Sequence, residues 1–347
     1  MTPAGLKVLC LDGGGLHTLF SLRLIQRLNA MFPFLNDVDA FSGTSAGGIS
    51  ALILAAGDRP AERIQVAIDF WSDSRYFTLN LPQHAFSPLS TATYTNHEAK
   101  KALEALLGDV TLGQLKRQVV IPSFELDNEG RAGRPRSWAP RIFSTLSTRE
   151  PNTDHKQVAV DVGLRTAASP MGFPIYEGFV DAGIYANNPS MCALAEALRG
   201  DIFEPPDIQL FSVGGGLNRR YVASEDGDWG PRQWVLDLKE PGLLLEMVFA
   251  SGVEAVSFQC LQVLGEQNFF RLNPAFQDTV PMTNAWLPVI PVDLMPNVVE
   301  KLLGLADAAD LSKALLWMES NWGRQPRSHQ TSAQAERSRI VTDLTPP

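Results

Sequence analysis

Along its first sixty positions the chain switches repeatedly between two hydrophobic periods. Positions 6–11 form an almost unbroken apolar run (Leu6, Val8, Leu9, Cys10, Leu11), which predicts a buried strand. From Leu19 the spacing becomes helical, with Leu19, Leu22, Ile25, Leu28 and Phe32 on one face. A second short apolar stretch, 38–42, predicts another strand, and 49–56 predicts a second helix. This order of strand, helix, strand, helix is the βαβ rhythm of a parallel sheet. A right-handed crossover then brings the loops that leave both strands to one edge of that sheet.

The same reading extends downstream. Positions 95–107 predict an amphipathic helix, with Thr95 or Asn96 as N-cap and Gly108 as C-cap. Strands are expected at 119–122, 141–144, 178–180 and 208–213, and helices at 158–168 and from Asn188-Pro189 to Arg199. Positions 243–264 read as a long helix with Gly252 as a candidate break, followed by short helices at 297–303, stopping at Gly304, and at 311–322. Segment 70–95 is aromatic and broken by Pro82 and Pro88. It reads either as a cap over an acyl groove or as a loop whose aromatics pack on the core. The expected organisation is one domain over 1–320 and a polar tail over 321–347.

Both early loops carry chemistry. The first, Asp12-Gly13-Gly14-Gly15-Leu16-His17, leaves backbone N–H groups uncovered by side chains and free to face an anion. It lacks the lysine-bearing phosphate-loop pattern, so an oxyanion of acyl transfer is the better fit. The second, Gly43-Thr44-Ser45-Ala46-Gly47, is a G-x-S-x-G motif between a predicted strand and a predicted helix. A sharp strand-to-helix turn there lifts a serine hydroxyl out of the backbone, and the helix that follows aims its positive end at it. A serine nucleophile needs a base. His155 and His329 are the histidines far enough downstream for a triad order, but both lie in polar stretches. Asp181, at the end of the short strand 178–180 and before Ala182-Gly183, is better placed to take the proton directly.

The loops and the segments that follow them resemble the patatin-like phospholipase family. Asp12-Gly13-Gly14-Gly15, Gly43-Thr44-Ser45-Ala46-Gly47 and Asp181-Ala182-Gly183 resemble its oxyanion loop, nucleophile motif and catalytic aspartate motif. Arg165 to Pro170 with Phe173-Pro174, Asn187-Asn188-Pro189, Ser212 to Gly216 and Phe270-Arg271-Leu272-Asn273 resemble supporting segments in the same order, so the similarity spans 5–320. The resemblance implies a three-layer α/β/α fold around a mostly parallel central sheet. It further implies Ser45 as nucleophile and Asp181 as general base. Gly13, Gly14, Gly15 and Leu16 would form the oxyanion hole, with His17, Gly43, Gly47 and Gly183 in support. Two departures stand out. His17 occupies the place of a permanent cation, and Ala182 that of a glycine.

Composition narrows the partners. With 347 residues, 45% hydrophobic and 19% charged, the chain is long enough to bury a large core. A net charge of −9 argues against nucleic acid and against whole-surface attraction to anionic lipid. Three scattered cysteines (Cys10, Cys192, Cys260), no secretory signal and no apolar run of the length of a membrane span point to a cytoplasmic protein, peripheral to a membrane at most. Membrane contact must then be local. The segment 130–141, with Arg131, Arg134, Arg136 and Arg141 around Trp138, reads as a headgroup interface or, more commonly for such composition, a solvated hairpin loop. The expected reaction is hydrolysis of a phospholipid or other acyl-ester lipid without cofactor or metal. A storage or lipid-binding protein with the same fold, and a triad esterase or acyl transferase, stand as alternatives.

Overall fold

The computed structural model describes residues 5–73, 75, 90–133, 135–146, 153–199, 203–217, 221–222, 227–235, 243–276 and 295–323. Among the described residues the strands are β1 (Leu6–Leu11), β2 (Ala40–Gly43), β3 (Gln118–Glu125), β4 (Ala139–Ser144), β5 (Phe179–Val180), β6 (Ile208–Val213) and β7 (Phe269–Leu272). They form one sheet in the order β4-β3-β2-β1-β6-β7, with β5 also on β3. The pairs β1 with β2, β1 with β6, β2 with β3 and β6 with β7 are parallel, while β4 and β5 run antiparallel to β3. The predicted strands 119–122 and 141–144 are thus the two arms of a hairpin whose tip is the arginine-rich loop.

The helices are α1 (Thr18–Met31), α2 (Ala46–Ala55), α3 (Pro60–Ser72), α4 (His97–Leu107), α5 (Ala159–Thr166), α6 (Gly183–Ala186), α7 (Ser190–Leu198), α8 (Pro231–Trp234), α9 (Leu243–Leu264), α10 (Met295–Ala308) and α11 (Ser312–Trp317). Side chains on a strand alternate between faces, and the near-continuous apolar strands therefore feed two cores. Leu9, Leu11, Phe41 and Phe211 face one core, with α1, α2, α3, α5, α10 and α11. Val8, Cys10, Ala40 and Leu210 face the other, where α7 and α9 supply Leu194, Cys260 and Leu264. This is the three-layer α/β/α arrangement, and it explains why the strand sequences show no polar face. Burial pushes the Cys260 thiol up to about 12 and Cys192 to about 11, so both are poor nucleophiles.

Several expectations change. Helix α3 was not anticipated, because its start at Pro60 follows a short polar turn. It takes Phe70 and Trp71 into the core, where the Trp71 indole N–H donates to Ser50 Oγ at 2.8 Å. The rest of the proposed cap, 74 and 76–89, lies outside the described residues, as do His84, Arg134 and the tail from 324 onward. Helix α10 runs through Gly304 instead of stopping there, since a glycine in a helix with a packed face costs only about 1 kcal/mol. Helix α9 is continuous across Gly252. Within it Met247–Leu264 is long and apolar enough, by length and composition, to cross a membrane. It is not an unbroken apolar run, because Ser251, Gly252, Glu254, Ser257, Gln259 and Gln262 interrupt it.

The packed domain also runs past 320. Trp322 is fully buried, edge-on to Phe34 at 5.8 Å and beside Phe211 and Trp317. Trp322→Ala is expected to destabilise the fold by about 3–5 kcal/mol in urea unfolding. Leu316→Ala, at a position 64% exposed, should stay within about 0.5 kcal/mol of wild type.

Candidate active site

Strand register brings the two ends of the site together. β2 lies parallel to β3 with Ser42 opposite Val120, then turns away at Gly43. β5 takes over the same side of β3 from the opposite direction, with Phe179 opposite Glu125 and Val180 opposite Phe124. Asp181 directly follows β5, and Ser45 stands two residues beyond the end of β2. Ser45 and Asp181 meet in the gap, close enough for the Ser45 hydroxyl to favour the ionised Asp181 carboxylate.

Ser45 sits at φ 56°, ψ −127°, outside the regions open to most side chains, which is how the elbow presents its oxygen. The strain is held by close packing around it. A Cβ on Gly43 would lie 2.2 Å from Gly47 O, and one on Gly47 would lie 2.4 Å from Asp12 O. The Ser45 N–H donates to Thr166 Oγ1 at 3.0 Å, and the Thr166 hydroxyl passes a 2.6 Å hydrogen bond to Pro122 O. Thr166 was not singled out in the sequence, although it lies in a segment that resembles the family.

Asp181 is buried, with its backbone N–H on Ala168 O at 3.0 Å and its Oδ1 accepting the Gly183 N–H at 2.7 Å. Burial raises its pKa to about 6, against the lowering effects of the hydrogen bonds from Ser45 and Gly183. Ala182 has φ −68°, so alanine meets the turn without strain and the departure from glycine is harmless.

The glycine loop closes the third side. A Cβ on Gly13 would lie 3.3 Å from Ser45 Cβ and 2.4 Å from Asn187 Oδ1, so only glycine fits. The Gly13 N–H, however, is donated to Asn187 O at 2.9 Å, which takes it out of the expected oxyanion donor set. Gly14 and Gly15 make no N–H hydrogen bond to another described residue, and Leu16 is buried behind them. Asn187 returns an Nδ2 hydrogen bond to Gly13 O at 3.3 Å, and Thr44 Oγ1 donates to Ala186 O at 2.6 Å. The elbow, the glycine loop and the aspartate segment are thereby tied to one another.

Arg271 anchors the loop from beneath. Its guanidinium forks onto Asp12, with Nη1 donating to Oδ1 at 2.7 Å and Nη2 to Oδ2, and Nη1 also reaches Ser212 Oγ at 2.8 Å. Both partners are largely buried. The late segment around Phe270 resembles the family, and this pairing gives its arginine a physical task. His17 takes no part as a cation. Its Nδ1 bonds Gly215 O at 3.1 Å, its ring lies edge-on to Phe276 at 5.8 Å, and burial lowers its pKa, so it is neutral at pH 7. No histidine among the described residues hydrogen-bonds Ser45 or Asp181. His155 packs by Gly113, His97 is exposed, and His329 lies outside the described residues.

The arginine-rich hairpin tip is largely charge-compensated. Arg131 pairs with Glu125, Arg136 with Asp127 and Arg141 with Asp154, which leaves Trp138 as its exposed feature at 73%. The geometry agrees with a solvated loop.

The model of the patatin-like phospholipase family matches residues 9–194, which hold both Ser45 and Asp181. The chain belongs to the patatin-like phospholipase family. Membership makes it a lipid acyl hydrolase. Among its relatives, Protein teg of Priestia megaterium is 28% identical over 341 residues, covering 91% of this chain and 98% of that one. A putative sporulation hydrolase, CotR, of Bacillus subtilis is 28% identical with the same coverage, and a cGAMP-activated phospholipase of Pseudomonas aeruginosa is 28% identical over 77% of each chain.

Two outcomes follow for this phospholipase-family site. Arg271→Leu strands a buried carboxylate and is expected to cost about 3–5 kcal/mol in urea unfolding at pH 7.5, whereas Arg271→Lys keeps the charge without the fork and should fall between. Asp181 has a folded pKa raised from 3.8 to about 6, so its ionised form costs stability above that range and the cost vanishes below it. Asp181→Asn should therefore be more stable than wild type at pH 8 by about 1–3 kcal/mol. The gain should shrink as pH falls through about 6 and be absent near 3.8 in pH-dependent thermal unfolding.

Proposed function

We propose that this protein is a serine hydrolase of glycerolipid acyl esters, of phospholipase A or lysophospholipase type, working through a Ser45 and Asp181 dyad. The observation that carries the reading is the Ser45 side chain set beside a buried Asp181 carboxylate whose ionised form it favours, next to Gly14 and Gly15, whose N–H groups bond no other described residue. As the Ser45 oxygen attacks the ester carbonyl, its proton passes to Asp181. The oxygen that becomes negative faces the Gly14 and Gly15 N–H groups and the positive end of α2. The ester C–O bond breaks, Asp181 returns the proton to the departing alcohol, and an acyl-Ser45 ester remains. Water then gives its proton to Asp181 while attacking the acyl carbon, and the fatty acid leaves with Ser45 restored.

A pKa near 6 suits a group that must be ionised to start the cycle and protonated midway through it. The backbone strain at Ser45 favours turnover over storage, because about 1–3 kcal/mol is held at a position that a binding protein has no reason to maintain. The preferred lipid is a phospholipid, in keeping with the family.

Ser45→Ala and Asp181→Asn should each lower kcat on a soluble short-chain ester by about 10³-fold or more, and the double variant should be no worse than the lower single. A fluorophosphonate probe should label wild type at Ser45. Wild-type kcat/KM should rise through about pH 6 and then stay level to pH 8, because Asp181 must be ionised and the neutral His17 adds no alkaline limb. Ester turnover retained by either single variant with an unchanged melting temperature would exclude the dyad.

A further inference from the structure

We infer that the outward face of α9 docks on a zwitterionic phospholipid surface and holds the mouth of the site against it. The inference rests on the reading of the site as one for lipid esters. Helix α9 has 22 residues, about 33 Å at 1.5 Å per residue, against about 20 Å for the six-residue strand β6. It leads into β7 and so runs back from the carboxyl edge of the sheet to the amino edge. Among its described side chains the buried ones, Val253, Cys260 and Leu264, lie in the second part, and Cys260 and Leu264 pack with Leu6, Ile208 and Phe269 at the strand starts. The level of the site is marked by Asn188, whose Nδ2 reaches Val253 O at 3.4 Å and Ser257 Oγ at 3.2 Å, one residue after the asparagine that holds Gly13. Residues 243–252 therefore overhang the carboxyl edge by about 14 Å, on the side from which substrate must come.

The overhang is apolar where a soluble surface would be polar. Opposite the stripe of Val253, Cys260 and Leu264, the helix presents Leu244, Met247, Val248, Ser251, Ala255 and Phe258. Of these, Leu244, Met247, Val248 and Phe258 are 45–63% exposed. Toward the amino edge the same face ends in the exposed Gln259 and Gln262. Only 17% of Met247–Leu264 is buried. The exposed apolar side chains thus run from the overhang past the level of the site to Phe258, with Val263 exposed on the flank beyond it. A stripe one helix wide and about 21 Å long covers roughly 200 Å², well short of the about 800 Å² per partner of a stable protein interface. It does match a helix seated about 5–10 Å into the headgroup boundary. The only charges on the helix are Glu246 and Glu254, and the chain carries −9 overall, so the matching surface is zwitterionic rather than anionic.

The test uses the full chain and phosphatidylcholine vesicles. Wild type should co-sediment with them, and binding should vary little with salt. Leu244→Glu/Val248→Glu should lower the partition coefficient about tenfold or more and lower vesicle hydrolysis by the same factor. In the same samples its turnover of a soluble short-chain ester should stay within about twofold of wild type, which separates docking from chemistry. Leu316→Glu, an equally exposed apolar site near the amino edge where Trp317 Nε1 donates to Glu266 O at 2.7 Å, should bind as wild type. Equal vesicle binding by wild type and the double variant, or no binding by wild type, overturns the inference while ester turnover still stands. A dimer in light scattering that the double variant dissociates, with vesicle binding unchanged, assigns the face to a second copy and also overturns it. Absence of soluble-ester turnover in wild type would refute the reading of the site, with vesicle binding still measured on its own.

Discussion

Two strands sharing one side of β3 is the constraint on which the site depends. β2 runs parallel to β3 and stops at Gly43, and β5 arrives antiparallel along the same side and stops at Val180. Between their last pairs, Ser42 with Val120 and Val180 with Phe124, only Ile121, Pro122 and Ser123 of β3 intervene. Their ends are held at a separation set by the register of a third strand, so the distance between Ser45 and Asp181 does not rely on a flexible loop. Site groups supported by sheet register and by hydrogen bonds from neighbouring residues are positioned more tightly than groups on loops alone. Thr166 reinforces this, since one hydroxyl accepts from the Ser45 N–H and donates to Pro122 O on β3.

Around that gap the fold tolerates energetic costs that a purely structural design would avoid. Ser45 keeps a backbone conformation disfavoured for a residue with a side chain, Asp181 is a carboxylate held out of water, and Gly14 and Gly15 have N–H groups without a described partner. Each cost is local and each is met by rigid surroundings: the glycine contacts at Gly43 and Gly47, the short bond from Gly183, and the Arg271 fork on Asp12. Arg271 stands on β7, well outside residues 9–194, so the catalytic segment of the family is braced by a strand that the family model does not reach.

The surroundings also account for how a lipid hydrolase works without a permanently charged loop residue. His17, buried against Phe276 and Gly215, holds the loop by packing and one hydrogen bond. In the proposed reaction, charge stabilisation then falls to oriented backbone dipoles, the Gly14 and Gly15 N–H groups and the positive end of α2. Basic residues that might have served at a membrane are already paired with acids on the hairpin tip. Among the described residues, the exposed apolar face of α9 offers the proposed means of approaching lipid.

What the sequence alone determined is what depends on local period and on small-residue motifs. The strands and helices that flank Ser45, the order of the βαβ unit, and the identities of Ser45 and Asp181 as the residues to watch were legible because apolar spacing and glycine tolerance are properties of short segments. Ala182 was legible too, since its turn needs only ordinary φ. The tertiary structure alone decided who touches whom. That Gly13 spends its N–H on Asn187, that His17 is neutral, that Arg271 grips Asp12 from 259 residues away, and that half of α9 overhangs the sheet all depend on long-range register. A segment's composition cannot reveal such contacts. Hydrogen bonds and burial are properties of pairs, and which pairs form is settled only when distant strands align.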